Sequence, residues 1–105
     1  PTAAYGSYLA RGCVGCHGAA YAGGPIAGAP PGWPAAANLT PNAESGLGRW
    51  TYDDFVRALR EGRRPDGSRI RPPMPLAATR AMTDVELAAL WAYLRTLPAR
   101  PAGAR

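Results

Sequence analysis

The chain has 105 residues and a formal net charge of +5, and all twelve of its basic residues are arginines. This length fits a single domain, and the absence of any block of five or six like charges argues against a nucleic-acid partner. No apolar run approaches membrane-spanning length and no leader peptide is recognisable, so we expect a mature chain or an excised domain.

Thirteen glycines and twelve prolines make up about a quarter of the chain. Such a proportion is typical of sequences rich in irregular loops. Three tryptophans, five tyrosines and several amphipathic segments nevertheless indicate a folded protein. We therefore predict short helices that are joined by long loops.

The first helix is predicted over residues 2–12. Thr2 is a good N-cap residue, and Tyr5 and Leu9 share one face at helical spacing. Gly6 is unfavourable inside a helix. It indicates either a frayed short helix or the close approach of a second helix, and the sequence leaves both interpretations open.

Cys13, Cys16 and His17 form a C-x-x-C-H sequence, which is the attachment signature of a c-type haem. Each thiol can add across one haem vinyl group, and the imidazole of His17 can then bind the iron. A thioredoxin-type dithiol would need a βαβ context, and a structural zinc site would need four ligands where the chain has three cysteine or histidine side chains. We predict one haem c, attached covalently through Cys13 and Cys16, with His17 as an axial ligand.

A haem of this kind is attached after export, so we expect a periplasmic or cell-envelope location. A membrane tether in the full-length protein is compatible with this location. The haem would also supply apolar core to a chain that is too short to bury much of its own surface.

A long loop is predicted from Gly18 to Gly48, because glycine, alanine, proline and asparagine dominate this region. Long ordered loops in small domains are usually functional, and wrapping one edge of the haem would order this one. The carbonyl group of Pro25 could accept the proton of the outer nitrogen of His17, since ligating histidines usually have such a partner. An ordinary turn proline is the alternative.

A second helix is predicted over residues 51–61. Thr51 and Asp54 have the spacing of a capping box, and Gly62 is a favourable residue for ending a helix. Trp50 precedes the cap and could pack on the first turn as a hydrophobic staple.

The same tryptophan is a candidate for binding the haem. The indole N–H of Trp50 could donate to a haem propionate, a role that is compatible with packing. Arg49 and Arg71 are weaker propionate candidates, because an arginine is by default a solvated surface residue.

Residues 63–80 are predicted to be a loop that contains one of two candidates for the second axial ligand. Met82 lies directly before the last predicted helix and can pack on Leu87 as a hydrophobic staple. Met74 is flanked by three prolines, which exclude a helix and hold the backbone stiff, as suits an axial sulfur. We favour Met74 over Met82, and a vacant sixth position is the remaining alternative.

The last helix is predicted from Thr83 to about Leu97. Thr83 and Glu86 repeat the capping-box spacing, and the apolar positions recur with helical periodicity. Residues 98–105 are predicted to form a flexible tail, which leaves residues 1–97 as the folded domain.

Over residues 5–97 the chain resembles a monohaem class I cytochrome c, through the motifs C-V-G-C-H, A-A-N-L-T-P, G-L-G-R-W-T-Y-D-D-F, P-D-G-S, P-P-M-P and T-D-V-E-L. It is particularly similar to the cytochrome domains that accompany bacterial membrane dehydrogenases for alcohols and aldehydes. The resemblance implies an all-α fold, with three main helices and long loops around one haem c and with the first and last helices crossing. It also implies Cys13 and Cys16 as attachment points, with His17 and Met74 as axial ligands.

One-electron transfer, rather than enzymatic catalysis, is the function that these features favour. The chain has no second histidine and no third cysteine from which to build a catalytic centre. The expected partners are redox proteins met transiently: a dehydrogenase, a bc1-type complex or a terminal oxidase. Two alternatives stay open, namely an electron-transfer domain of a larger dehydrogenase or oxidase, and a gas-binding or peroxidase-like haem protein with an open sixth site.

Overall fold

A computed structural model describes residues 2–26, 28–71 and 74–103 of the chain. Its helices are α1 (Ala3–Leu9), α2 (Val14–His17), α3 (Tyr52–Glu61), α4 (Leu76–Arg80) and α5 (Asp84–Leu94). A 3-10 turn, Ala10–Cys13, joins α1 to α2, so the last three residues of the first predicted helix, 10–12, lie in a 3-10 turn and not in an α-helix. Extended pairing among the described residues is limited to two isolated bridges. The all-α class is confirmed, and no described helix is both long and apolar enough to cross a membrane.

Helices α1 and α5 cross at Gly6. Thr2 caps α1 as predicted, and its Oγ1 accepts a hydrogen bond from Tyr5 N at 3.1 Å. A Cβ atom added to Gly6 would overlap the carbonyl oxygen of Ala89 and would lie 2.8 Å from Cβ of Tyr93. Of the two interpretations that the sequence leaves open, the close helix–helix approach is therefore confirmed.

Helix α3 begins and ends where the sequence predicts. Thr51 Oγ1 accepts from Asp54 N at 3.1 Å, and Asp54 Oδ2 accepts from Thr51 N at 2.9 Å, which completes the capping box. Gly62 ends the helix with a φ of 71°, in the left-handed region that favours glycine. The buried face of α3 packs on α5, where the rings of Phe55 and Trp91 lie 5.1 Å apart between centroids.

Helix α5 opens with the second predicted capping box, in which Thr83 N donates to Glu86 Oε1 at 2.7 Å. It ends at Leu94, three residues earlier than predicted. The backbone of Thr96 and Leu97 bonds three residues back instead of four, which turns the chain out of the α-helix. The buried apolar cluster of the domain comprises Ala10, Tyr21, Leu47, Phe55, Leu59, Leu87, Leu90 and Leu94.

The prediction of a loop over residues 63–80 is wrong at its end, where α4 forms. Arg80 Nε donates to the carbonyl oxygen of Arg60 at 2.8 Å, and Arg60 Nη1 donates to that of Arg80 at 2.9 Å. The buried hydroxyl of Thr79 donates to the carbonyl oxygen of Leu59 at 2.8 Å. These contacts hold α4 on the end of α3, and a helix of five residues is too short to show a periodic pattern in the sequence.

The described part of the segment predicted as a flexible tail, residues 98–103, is hydrogen-bonded to the loop that follows α2. Residues 104 and 105 of that prediction lie outside the described residues. Arg100 N donates to Thr40 Oγ1 at 3.1 Å, and the Arg100 carbonyl oxygen accepts from Asn38 Nδ2 at 2.8 Å. Gly103 N donates to a carbonyl earlier in the same loop. The chain from residue 98 to residue 103 therefore lies along this loop, while the domain boundary at residue 97 stays a prediction.

Candidate functional site

A cavity of about 600 Å³ lies among α2, α3, α4 and the loops that precede and follow α3. Its volume is in the range of pockets that hold organic ligands and cofactors. Five side chains predicted to contact a haem line it: Cys13, Cys16, His17, Trp50 and Met74. Apolar side chains make up much of the remaining wall, including Ile26, Leu39, Leu47, Phe55, Leu59 and Ile70. The fold therefore gathers the predicted ligands from three separate regions of the sequence.

His17 is the last residue of α2 and is only 6% exposed. Its Nδ1 atom lies 2.7 Å from the carbonyl oxygen of Ala37. Because a carbonyl oxygen only accepts, the neutral tautomer that fits carries its proton on Nδ1 and has its lone pair on Nε2, the atom that can bind a metal. The helix ends directly after His17 because Gly18 adopts a φ of 85°.

Ala37 was not identified by sequence reasoning as a partner of His17. A backbone carbonyl carries no side-chain signal, and Ala37 is separated from His17 by twenty residues of loop. Pro25, which the sequence nominates for this role, is exposed. Its contribution to the orientation of the imidazole stays a prediction.

Cys13 and Cys16 are half-buried thiols and do not form a disulfide. Burial raises the pKa of the Cys13 thiol, and the nearby Cys16 adds to this increase. A redox-active dithiol needs a cysteine whose pKa is lowered, so that the thiolate is available as a nucleophile. The site therefore lacks the electrostatics of a thioredoxin-type centre at Cys13.

Met74 and Met82 occupy different parts of the fold. Met74 is half-buried, lines the cavity and lies just before α4, and its carbonyl oxygen accepts from Leu76 N at 2.9 Å. Both methionines pack against the buried apolar cluster, but Met82 is not among the described residues that line the cavity. Pro72 and Pro73, which contribute to the argument for a stiff backbone at Met74, lie outside the described residues.

Trp50 lines the cavity and also packs against the buried cluster, so packing does not prevent contact with a ligand. Arg49 and Arg71, the weaker propionate candidates, are lining residues as well. A third arginine of the lining, Arg64, was not singled out from the sequence. Its Nη1 donates to the carbonyl oxygen of Arg69 at 2.8 Å, which only the folded loop brings within reach. The guanidinium groups of these three arginines are suited to pair with the propionate carboxylates of a haem.

The donor set fits a haem c. Two thiols, an imidazole whose Nδ1 has an acceptor, and a thioether line one largely apolar cavity. These are the groups that attach a c-type haem and ligate its iron.

The family model for cytochrome c matches residues 3–98. The chain is 42% identical over 94 residues to the cytochrome c subunit of the quinone alcohol dehydrogenase of Gluconacetobacter polyoxogenes, a match that covers 84% of this chain and 20% of that protein. It is 38% identical over 94 residues to the gluconate 2-dehydrogenase cytochrome c subunit of Pantoea cypripedii, covering 84% of this chain and 21% of that protein. It is also 37% identical over 103 residues to the fructose dehydrogenase cytochrome subunit of Gluconobacter japonicus, covering 91% and 21%. The chain thus spans about a fifth of the length of these relatives.

Proposed function

The chain belongs to the cytochrome c family, and we propose that it transfers one electron at a time through a single haem c held by Cys13, Cys16, His17 and Met74. The observation that carries this proposal is that these four side chains line the same cavity. When bound, the haem supplies an iron that takes up and releases one electron.

The two cysteines are the proposed attachment points. At each of them the S–H group would add across a haem vinyl group: the sulfur would form a C–S bond to one carbon, the hydrogen would go to the other, and no group would leave. The 3-10 turn that ends at Cys13 and the helix that contains Cys16 fix the two thiols near His17. Covalent attachment would hold the porphyrin in a chain whose own apolar core is small.

His17 and Met74 are the proposed axial ligands. With its Nδ1 proton directed to the Ala37 carbonyl, His17 would bind the iron through Nε2. The thioether of Met74 would fill the sixth position, exclude small molecules from the metal and raise the reduction potential. A metal with both axial positions filled suits electron transfer, whereas gas binding or peroxidase chemistry needs an open position.

Visible spectroscopy of the haem-loaded protein tests this assignment. We expect the oxidised protein to show the weak long-wavelength band of an Fe(III)–sulfur bond, and intact mass to show one haem. The band should be lost in Met74→Ala and kept in Met82→Ala, which is the matched control. Rapid carbon monoxide binding to the unmodified reduced protein would contradict axial ligation by Met74.

We further propose a dehydrogenase as the electron donor and a periplasmic or envelope location. The relatives described above are named as cytochrome subunits of alcohol, gluconate and fructose dehydrogenases. The basic surface of this chain, with a formal charge of +5, suits a transient encounter with an acidic redox partner. The reduction rate should then fall as ionic strength rises, and a rate independent of salt would contradict this part of the proposal.

The native context is either a free shuttle or a domain of a larger dehydrogenase or oxidase. Immunoblotting of native cell fractions distinguishes the two. A species of about 11 kDa in the periplasmic fraction supports the free shuttle, and a larger species supports the domain.

A further inference from the structure

We propose that Asn38 is a positioning residue for the axial imidazole: it holds the Ala37 carbonyl against His17 and uses the C-terminal segment as its anchor. This inference rests on the proposed ligation of the haem iron by His17. The acceptor of His17 Nδ1 is a backbone oxygen. Its position therefore depends on whatever fixes the loop around Ala37.

Asn38 directly follows Ala37, is 4% exposed and lines the cavity. Its Nδ2 donates to Ser45 Oγ at 3.1 Å and to the carbonyl oxygen of Arg100 at 2.8 Å. Its Oδ1 accepts from the backbone nitrogen of Thr40 at 3.0 Å and from the hydroxyl of the same residue at 2.7 Å. A buried amide with both donors and its acceptor engaged holds one orientation.

The backbone on either side of the Ala37 carbonyl has a second support. Gly24 and Ala36 exchange two backbone hydrogen bonds of 2.9 Å, and Leu39 N donates to the carbonyl oxygen of Tyr21 at 2.8 Å. The loop is thus held along one side by residues 21–24 and through Asn38 by its side-chain network. Loss of the Asn38 amide should therefore make the Ala37 carbonyl group more mobile without unfolding the whole loop.

The anchor of Asn38 comes from the end of the chain, about sixty residues away. Arg100 uses its backbone twice: its carbonyl oxygen accepts from Asn38, and its N–H donates to Thr40 Oγ1 at 3.1 Å. Thr40 is fully buried and Arg100 is exposed, so this link is buried at the loop and open to water at the C-terminal segment. Since backbone atoms of Arg100 make the contact, Asn38 and Thr40 are the positions at which substitution can break it.

The expected consequence is electronic. A strong hydrogen bond from Nδ1–H increases the basicity of the imidazole and thereby stabilises Fe(III) over Fe(II). Loosening the Ala37 carbonyl should therefore raise the reduction potential. We expect a change of about tenfold in the Fe(III)/Fe(II) equilibrium, which for a one-electron couple is about 59 mV.

The test compares three variants of the haem-loaded chain: Asn38→Ala, Thr40→Val and Asn42→Ala. Thr40→Val keeps the shape of a small buried side chain but removes the hydroxyl. Asn42 is the control for the rest of the loop: its Oδ1 accepts from Ser45 N at 2.8 Å and from Ser45 Oγ at 3.2 Å, and it is not among the described residues that line the cavity. Asn42→Ala reaches Asn38 through Ser45 and leaves the bonds of Asn38 to Arg100 and Thr40 in place. The readouts are the midpoint potential and, in the reduced protein, the solvent exchange of the His17 Nδ1 proton by NMR.

We expect Asn38→Ala to raise the potential and accelerate exchange of the Nδ1 proton. Thr40→Val should give smaller changes in the same direction, and Asn42→Ala the smallest. If Asn38→Ala does not assemble, Thr40→Val decides. The inference would be overturned if Asn38→Ala and Thr40→Val lowered the melting temperature but left the midpoint potential and the Nδ1 proton exchange unchanged. A shift of the potential in Asn42→Ala as large as that in Asn38→Ala would also overturn it. If the wild-type protein lacks the iron–sulfur band, the proposed ligation by Met74 is contradicted instead. The visible spectrum that shows this band is recorded independently of the Nδ1 proton exchange.

Discussion

Gly6 of α1 lies so close to Ala89 of α5 that a Cβ at Gly6 would overlap the Ala89 carbonyl oxygen. The two helices meet backbone to backbone at this point, and a backbone oxygen cannot move aside as the end of a flexible side chain can. The crossing therefore requires glycine for its lack of a side chain, although glycine weakens the helix itself.

Substituting Gly6 should separate the two helices. We expect Gly6→Ala to lower the free energy of unfolding by about 3 kcal/mol, at the upper end for overpacking, because the helices must shift to admit the methyl group. The matched control is Gly15→Ala, because a Cβ at Gly15 would meet no described atom of the chain within 4 Å. This variant should be neutral or stabilise by up to about 1 kcal/mol. Denaturant unfolding of the haem-loaded variants measures both, and equal effects would argue against a tight crossing.

The capping box of α5 should make a measurable contribution to stability. Thr83 Oγ1 accepts from Glu86 N at 3.1 Å, and loss of such a cap costs about 1 kcal/mol. We expect Thr83→Ala to show this loss in thermal or chemical unfolding and Thr83→Ser to recover most of it. A serine variant as unstable as the alanine variant would show that the threonine methyl group, not the hydrogen bond, is responsible.

Tyr21 should make stability sensitive to high pH. Burial raises the pKa of Tyr21 to about 12, with further contributions from Tyr93 and Cys13, and its hydroxyl lies 3.4 Å from the carbonyl oxygen of Ala10. The pKa of Tyr21 in the folded protein exceeds its value near 10 in the unfolded chain. The stabilisation that comes from burying the neutral hydroxyl is therefore fully present below pH 10 and is lost as the pH rises towards 12. Between pH 10 and 12 the free energy of unfolding should fall more steeply with pH in the wild type than in Tyr21→Phe. The difference in slope should reach about 1.4 kcal/mol per pH unit. Parallel pH profiles of the two proteins between pH 9 and 12 would contradict this expectation.

The chain should fold poorly without its haem. A cavity of about 600 Å³ in so small a domain leaves the surrounding loops without an apolar surface to pack on. We expect the Cys13→Ala/Cys16→Ala protein, prepared without haem, to show low helicity by circular dichroism and no cooperative thermal transition. Near-native helicity with a sharp melt would show that α1, α3 and α5 are sufficient for folding.

Local sequence predicts α1, α3, α5 and the attachment motif, but not the short helix α4. Thr51 with Asp54 and Thr83 with Glu86 identify two helix starts, and Gly62 identifies a helix end, because each feature depends on residues within one turn of one another. The C-x-x-C-H sequence is equally local, since five consecutive residues supply both attachment thiols and one proposed ligand.

Contacts between distant segments are what the sequence leaves undecided. Only the fold brings the Ala37 carbonyl to His17, places Ala89 against Gly6 and ties Arg100 to Asn38. Each of these contacts uses a backbone atom, which every residue possesses, so no residue type or spacing distinguishes the partner in advance.

The sequence by itself therefore determined what chemistry this chain can support: its paired thiols, its single imidazole, its two thioethers and the three helices that carry capping signals or apolar stripes. The tertiary structure decided which of the two methionines lines the cavity, which carbonyl meets the imidazole, and where the C-terminal segment lies. The physical reason is that side-chain chemistry and helix caps depend on neighbouring residues, whereas the cavity and its backbone acceptors exist only after segments far apart in the chain have packed together.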